Sequence, residues 1–252
     1  MKTTGNTIFI TGGTSGIGRA LAEAFHKLGN KVIIAGRRKA LLDEVAAATP
    51  GIEGVELDIT DAADIDRVVA KLISDYPSLN VLVNNAGIMP FDDASTTIDD
   101  SVSNKIIDTN LLGPIRLTSA LIEHLKKQPE ATVIYNSSVL AYVPLATTAV
   151  YSATKAAIHS YALSQRFMLR DTNVAVQEIA PPWVDTDLIK KSGDPRAMPL
   201  DIFIEKTMAG LNTDNPEIYV SEIAALRDNP GSGEHQLVYD FNAALIANPI
   251  PV

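Results

Sequence analysis

The chain has 252 residues, 46% of them hydrophobic, with 30 acidic against 21 basic side chains for a net charge of −9, and no cysteine. Its length and apolar content predict a packed core and one large domain rather than disorder. An acidic chain without a basic run is repelled by nucleic-acid phosphates and anionic membranes, and the lack of cysteine excludes disulfides, thiolate catalysis and Cys-ligated metal centres.

Along the chain, short β-branched runs alternate with longer helical patterns. TIFI (Thr7–Ile10) reads as a strand, and GIGRALAEAFHKLG as a helix ended by Gly29. KVIIAG (Lys31–Gly36) is a second strand, followed by the helical KALLDEVAAAT. GVELD (Gly54–Asp58) is a third, and the amphipathic DAADIDRVVAKLISDY has Asp61 as its N-cap. NVLVNNAG (Asn80–Gly87) is a strand running into a turn. A long helical pattern from Asp99 to Lys127 is interrupted at Gly113-Pro114. ATVIYNSS (Ala131–Ser138), a helix carrying Tyr151, and NVAVQEIA (Asn173–Ala180) complete the rhythm. Strands apolar on both faces suit a parallel sheet covered on both sides. The alternation predicts an α/β fold: a single doubly wound, Rossmann-type domain over residues 1–252.

After Ala180 prolines and a Gly-Asp-Pro turn break the pattern, predicting a substrate lid over about 182–212. Doubly wound folds bind ligands at this carboxyl edge of the sheet. EIYV (Glu217–Val220) is a candidate seventh strand, and the tail beyond it reads as helical. The histidines, His26, His124, His159 and His235, form no H-x-x-x-H pair, so no metal is expected, and His159 reads as structural. No signal-peptide pattern and no long apolar run appear, which gives a cytoplasmic expectation.

Two local features bear on chemistry. ITGGTSGIGRA follows the first strand and opens the first helix, with Gly12, Gly16 and Gly18 at a spacing longer than G-x-G-x-x-G. Glycine permits the turn and leaves backbone N–H groups open to a phosphate, although an ordinary Gly-rich turn has the same look. No Gly-Lys-Ser/Thr follows, which excludes a Walker A loop. Separately, Tyr151 and Lys155 stand at i and i+4 and share a helix face. Alone, this pair reads as a plain helix edge sooner than as a tyrosine held beside a cation, since the spacing recurs by chance in many helices.

Taken together, Thr11-Gly12-x-x-x-Gly16-x-Gly18, Asn84-Asn85-Ala86-Gly87, Asn110, Ser138 and Tyr151-x-x-x-Lys155 resemble the short-chain dehydrogenase/reductase family. The resemblance runs from about residue 7 to 186, in order. The Gly-Arg after strand two and the Pro-Pro opening the lid are similar to DltE-type oxidoreductases and bacterial ketoreductases. The resemblance implies hydride transfer with NAD(P)H between a ketone and its secondary alcohol. A tyrosine pKa near ~10 is too high for a base near neutrality, and a neighbouring ammonium lowers it. Tyr151 would be the acid/base, with Lys155 and an oxidised nicotinamide ring supplying positive charge. Ser138 would bind the substrate oxygen. Lys155 would also bind the nicotinamide ribose, and Asn110 would hold a relay water or satisfy backbone groups near Gly113-Pro114.

For the cofactor, the resemblance implies Gly12, Thr14, Ser15, Gly16, Ile17 and Gly18 at the turn. It places Asp58 on the adenine amine, unless Asp58 is a helix cap, with Ile59 against the ring. Asn84, Ala86 and Gly87 would line the adenosine ribose. Pro181, Val184 and Thr186 would hold the carboxamide, although Pro182 replaces a family glycine and puts the local backbone path in question. Gly36 stands where NAD-specific members carry an acid, and Arg37 and Arg38 follow, which favours NADPH over NADH. The substrate pocket is expected from Met89, Leu140, Tyr142, Val143, Trp183, Leu188 and Phe203, a hydrophobic set, with Lys190, Lys191 and Arg196 as cations that could meet a carboxylate. The helices carrying Asn110 and Tyr151 suggest a homodimer, with a tetramer as the alternative. Two competing readings are an epimerase or dehydratase on the same scaffold and a non-catalytic dinucleotide sensor.

Overall fold

Alternating side chains explain how one sheet feeds two cores. In Thr7–Thr11 (β1), Ile8 and Ile10 face one side and Phe9 the other, all fully buried. A computed structural model describes residues 1–189, 191, 193–228 and 231–249. Its other strands are Lys31–Gly36 (β2), Ile52–Glu56 (β3), Leu79–Asn84 (β4), Ala131–Asn136 (β5), Val174–Ala180 (β6) and Glu217–Tyr219 (β7). They form one parallel sheet in the order β3-β2-β1-β4-β5-β6-β7. The order reverses between β1 and β4, which opens a crevice at their carboxyl ends.

On the Phe9 face pack Ala62–Asp75 (α3), Gly113–Leu125 (α5) and Ala149–Met168 (α6), through Val68, Leu72, Leu117, Leu121 and Ile158. On the Ile8 face pack Gly16–Lys27 (α1), Lys39–Ala48 (α2) and Leu200–Leu211 (α7), through Leu21, Phe25, Leu42, Phe203 and Leu211. Asp61 caps α3 by accepting from the N–H groups of Ala63 and Asp64.

The long helical pattern is one helix with a widened turn. Asp100–Ile107 (α4) runs into α5 through a π-turn at Asp108–Leu112. Pro114 brings no N–H, and a Cβ on Gly113 would lie 2.6 Å from Ile59 Cγ1, so the segment bulges and the glycine lets it pass. Sequence reading places the third strand too late and ends the fifth strand too late, while the fourth runs into a turn as expected. β4 stops at Asn84 because the N–H of Asn85 is taken by Thr11 Oγ1 at 3.0 Å.

The lid region divides. Val184 bridges Met198, with a short 3-10 turn at Asp187–Ile189 between them. From Leu200 onward the chain is α7, whose Phe203, Ile204 and Leu211 are buried in the core. Beyond β7 come Ala224–Arg227 (α8) and Glu234–Ala247 (α9). Among the described residues, no helix is long and apolar enough to cross a membrane.

Candidate active site

The carboxyl ends of β1, β4, β5 and β6 open onto one cavity of about 960 Å³. Its first end is the turn between β1 and α1. Gly12 has φ +66°, and a Cβ there would lie 2.9 Å from Ala86 Cα. A Cβ on Gly18 would lie 2.3 Å from the Gly12 oxygen, so the helix can sit this close only with glycine. Thr14, Ser15, Gly16 and Ile17 line the cavity with them. Ser15 precedes α1 without capping it, and the first turn carries no acidic residue. A helix N-terminus with free N–H groups and no competing carboxylate fits the phosphates of a dinucleotide.

At this end Arg37, Arg38, Asp58 and Ile59 also line the cavity. Both arginines are exposed, and among the described residues neither forms an ion pair. Burial works against the Asp58 charge, but hydrogen bonds from the Thr60 N–H (2.9 Å) and hydroxyl (2.7 Å) outweigh it and hold the carboxyl below its ordinary value. The helix cap is Asp61, which leaves Asp58 for the cavity wall.

In the middle of the cavity the sequence reading needs one correction. Asn84 is buried and donates to Thr118 Oγ1 at 2.9 Å, away from the cavity. It shares a strand face with Leu82, which packs toward α5. Asn85 lines the cavity instead, its amide donating to the carbonyls of Thr11 (3.0 Å) and Gly12 (3.2 Å). The period of two along β4 is the signal that would have chosen between them. Ala86 and Gly87 line the wall as expected.

At the far end Ser138, Tyr151 and Lys155 meet. Ser138 Oγ accepts from the Leu140 N–H at 3.1 Å, which fixes its rotamer at the start of a 3-10 turn. Tyr151 is only 6% exposed. Burial pushes its phenol up to about 12, with a hydrogen bond to Ser138 opposing. Lys155 donates to the Asn136 carbonyl at 2.7 Å, and burial pushes its ammonium down to about 8, with the Glu178 charge opposing. Its Nζ stands 5.4 Å from the centre of the Tyr151 ring. The net shift of Tyr151 is therefore upward in the protein alone, against the lowered value expected from the sequence. Desolvation disfavours both charged forms, and its effect dominates.

Asn110 lies in the π-turn, outside the cavity wall. Its amide donates to the Ile88 carbonyl at 2.9 Å and to Thr154 Oγ1 at 3.3 Å, and its Oδ1 accepts the Ile88 N–H at 2.9 Å. It satisfies backbone groups at Ile88 rather than near Gly113-Pro114, and straps the loop after β4 to α6.

Pro181, Pro182, Val184 and Thr186 all reach the cavity. The Pro181 carbonyl accepts the Val139 N–H at 2.8 Å. Thr186 folds back over the glycine turn, where a Cβ on Gly16 would be 3.4 Å from its own Cβ.

Of the expected substrate wall, Met89, Leu140, Trp183 and Leu188 line the cavity. Tyr142, Val143 and Phe203 do not. Tyr142 turns away and donates its hydroxyl to Glu217, Val143 is fully buried, and Phe203 sits in the core against α1. Residues that sequence reading missed complete the wall: Leu145, Ile202, Leu226, and Phe241 and Leu245 from α9. No local pattern marks them, because only long-range docking brings the C-terminal helix here. Asn242 pins that helix by donating to the Pro144 carbonyl at 3.0 Å and accepting from the Ala146 N–H. Of the candidate cations, Lys190 lies outside the described residues and Lys191 outside the cavity wall. Arg196 lines the cavity but is engaged by Asp194 at 2.7 Å and by the carbonyls of Asn248 and Pro249.

Comparison with known proteins agrees with this geometry. The family model for short chain dehydrogenases matches residues 6–197. The oxidoreductase DltE of Bacillus subtilis is 42% identical over 248 residues, 96% of this chain and 98% of DltE. Serine 3-dehydrogenase of Agrobacterium fabrum is 34% identical over 194 residues, 76% of this chain and 78% of that one. The crystal structure of a short chain dehydrogenase from Burkholderia cenocepacia in complex with NADP superposes with a TM-score of 0.80 at 25% identity, over 100% of both chains. The matched span contains the glycine turn, Ser138 and the Tyr151–Lys155 pair, and the chain belongs to the short chain dehydrogenase family of oxidoreductases.

Proposed function

We propose that the protein interconverts a hydrophobic ketone and its secondary alcohol, using NAD(P)H and Tyr151 as the acid/base. The observation that carries this reading is the shape of one cavity. It has an uncapped helix N-terminus and two guanidiniums at one end, and Ser138, Tyr151 and Lys155 at the other. When bound, the nicotinamide would supply or accept the hydride. The chain's own residues handle the proton. In reduction, Ser138 and the Tyr151 hydroxyl would hold the carbonyl oxygen, and Tyr151 would give it a proton. A phenol pushed up to about 12 is protonated near neutrality, which suits it to act as the acid. Lys155, still largely charged below about 8, would bind the ribose and steady the phenolate once the proton has left. In the same reading Asn110, whose Oδ1 keeps a lone pair beyond its bond to Ile88, would hold a relay water.

The substrate end supports an apolar ketone. Met89, Leu140, Trp183, Leu188, Phe241 and Leu245 offer no free cation, and Arg196 is already spoken for. A panel of aryl and alkyl ketones, read by loss of NADPH absorbance, tests this directly. Turnover confined to phosphorylated or carrier-bound carbonyls would overturn the substrate class. Cofactor binding without turnover across the panel would favour the sensor instead.

For the cofactor we favour NADPH. Gly36 offers no carboxylate to a ribose 2′-hydroxyl, and a Cβ there would press on Thr14 Cγ2 at 3.1 Å. Arg37 and Arg38 stand exposed beside that position and suit a 2′-phosphate. Replacing both by Ala is expected to lower kcat/KM for NADPH by about tenfold or more, as loss of charge-assisted hydrogen bonds implies. The value for NADH should barely move. A wild-type preference for NADH above about tenfold would reverse the assignment, since that ratio is about 1.4 kcal/mol of discrimination.

A two-fold homodimer belongs to the same reading. Leu163 and Phe167 are exposed on α6, apolar groups that a second copy would cover. Sedimentation at micromolar concentration should give twice the chain mass, and a monomer would count against it.

A further inference from the structure

Glu178 is a charged residue buried in the sheet. It sits inside β6, its side chain 1% exposed, where an unpaired carboxylate is costly. Its partner is His159 on α6, whose Nδ1 lies 2.8 Å and 3.0 Å from the two carboxylate oxygens. His159 is one helical turn beyond Lys155 on the same face. The pair is part of a larger cluster. The Tyr142 ring meets the His159 ring edge-on at 5.0 Å, and its hydroxyl donates to Glu217 on β7. Arg227 on α8 grips Glu217 at 2.6 Å. His159 therefore faces Glu178 from β6, Glu217 from β7, Arg227 from α8, Tyr142 from the Ser138 loop and Lys155 from its own helix.

We propose that His159 and Glu178 are positioning residues for the proton-transfer site: a buried ion pair behind Lys155 that sets how much negative charge the Lys155 ammonium feels. The proposal rests on the reading of Lys155 as the cation beside Tyr151. Its geometry is independent of that reading. Glu178 stands opposite Tyr135 on β5, next to Asn136, whose carbonyl takes the Lys155 ammonium, so its charge lies near Lys155 and opposes the burial that drives it toward neutrality. The hydrogen bond to Glu178 holds the His159 imidazole above its ordinary value, against burial. While His159 is protonated, much of the Glu178 charge is cancelled. Remove the His159 charge and Lys155 faces a bare carboxylate. Remove the Glu178 charge and Lys155 faces burial alone.

The two substitutions should therefore act in opposite directions, which a merely structural pair would not do. In His159→Gln, Lys155 is expected to keep its proton to a pH about one unit higher, and in Glu178→Gln to lose it about one unit lower. The double variant returns toward wild type. Two readouts follow Lys155: the ¹³Cε resonance in ¹³C-lysine-labelled protein, and the alkaline limb of kcat/KM for ketone reduction. If no ketone turns over, the functional reading falls while the ¹³C titration still decides the proposal. Shifts in the same direction, or none, in folded variants would overturn it. Should a variant fail to fold, the wild-type protein supplies the test, because NMR must find the His159 imidazole holding its proton above its ordinary value. An ordinary or lowered titration of His159 would defeat the ion pair.

Discussion

Tyr151→Phe is expected to lower kcat for ketone reduction by about a hundred- to ten-thousandfold, the range in which a positioned general acid acts. Its dissociation constant for NADPH should stay at the wild-type value. The substitution removes one oxygen and keeps the ring. The ring is nearly enclosed, and Lys155 lies over it rather than bonded to its hydroxyl, so the side chain that would hold the ribose should stay in place. The lost group is the hydroxyl that the proposed mechanism uses as proton donor, which shares a hydrogen bond with Ser138. Steady-state kinetics and cofactor fluorescence titration separate the two effects. Turnover within tenfold of wild type would show that the proton comes from elsewhere. Loss of cofactor binding together with turnover would mean that Tyr151 shapes the cofactor site instead.

This expectation could be drawn from the sequence, but its electrostatic basis could not. Tyr151 and Lys155 are readable as a pair because helical spacing is local. Their burial is not, and burial moves both charged forms the opposite way from a simple ion-pair argument. The same divide runs through the fold. Strands β1 to β6 and the glycine turn are legible because apolar runs and glycine act within a few residues of themselves. The choice between Asn84 and Asn85 needed only the alternation of β4, a local rule that fixes which of two neighbours meets the cavity. The π-turn at Asp108–Leu112 arises where Gly113 must pass Ile59, a contact between segments far apart in sequence. Phe241 and Leu245 enter the site only because Asn242 anchors α9 to the loop after Ser138. Nothing in a helical pattern says what it will dock against.

The apolar residues after Ala180 pose the sharpest version of this problem, and Phe203 tests it. Leu188 and Phe203 are both apolar residues in a region that reads as lid. Leu188 lines the cavity and is 47% exposed, whereas Phe203 is 1% exposed and packs in the core on the α1 face of the sheet. Phe203→Ala should therefore destabilise the fold by about 3–5 kcal/mol, the cost of emptying a well-packed aromatic site. Denaturant unfolding would show this as a lower midpoint at unchanged slope. KM for a good ketone should change little in the fraction that remains folded. Leu188→Ala should do the reverse: stability within about 0.5 kcal/mol of wild type, as at exposed sites, and a raised KM for bulky ketones. If instead Phe203→Ala left the midpoint in place and raised KM, α7 would be part of a mobile lid, and the core on that side of the sheet would end before residue 200.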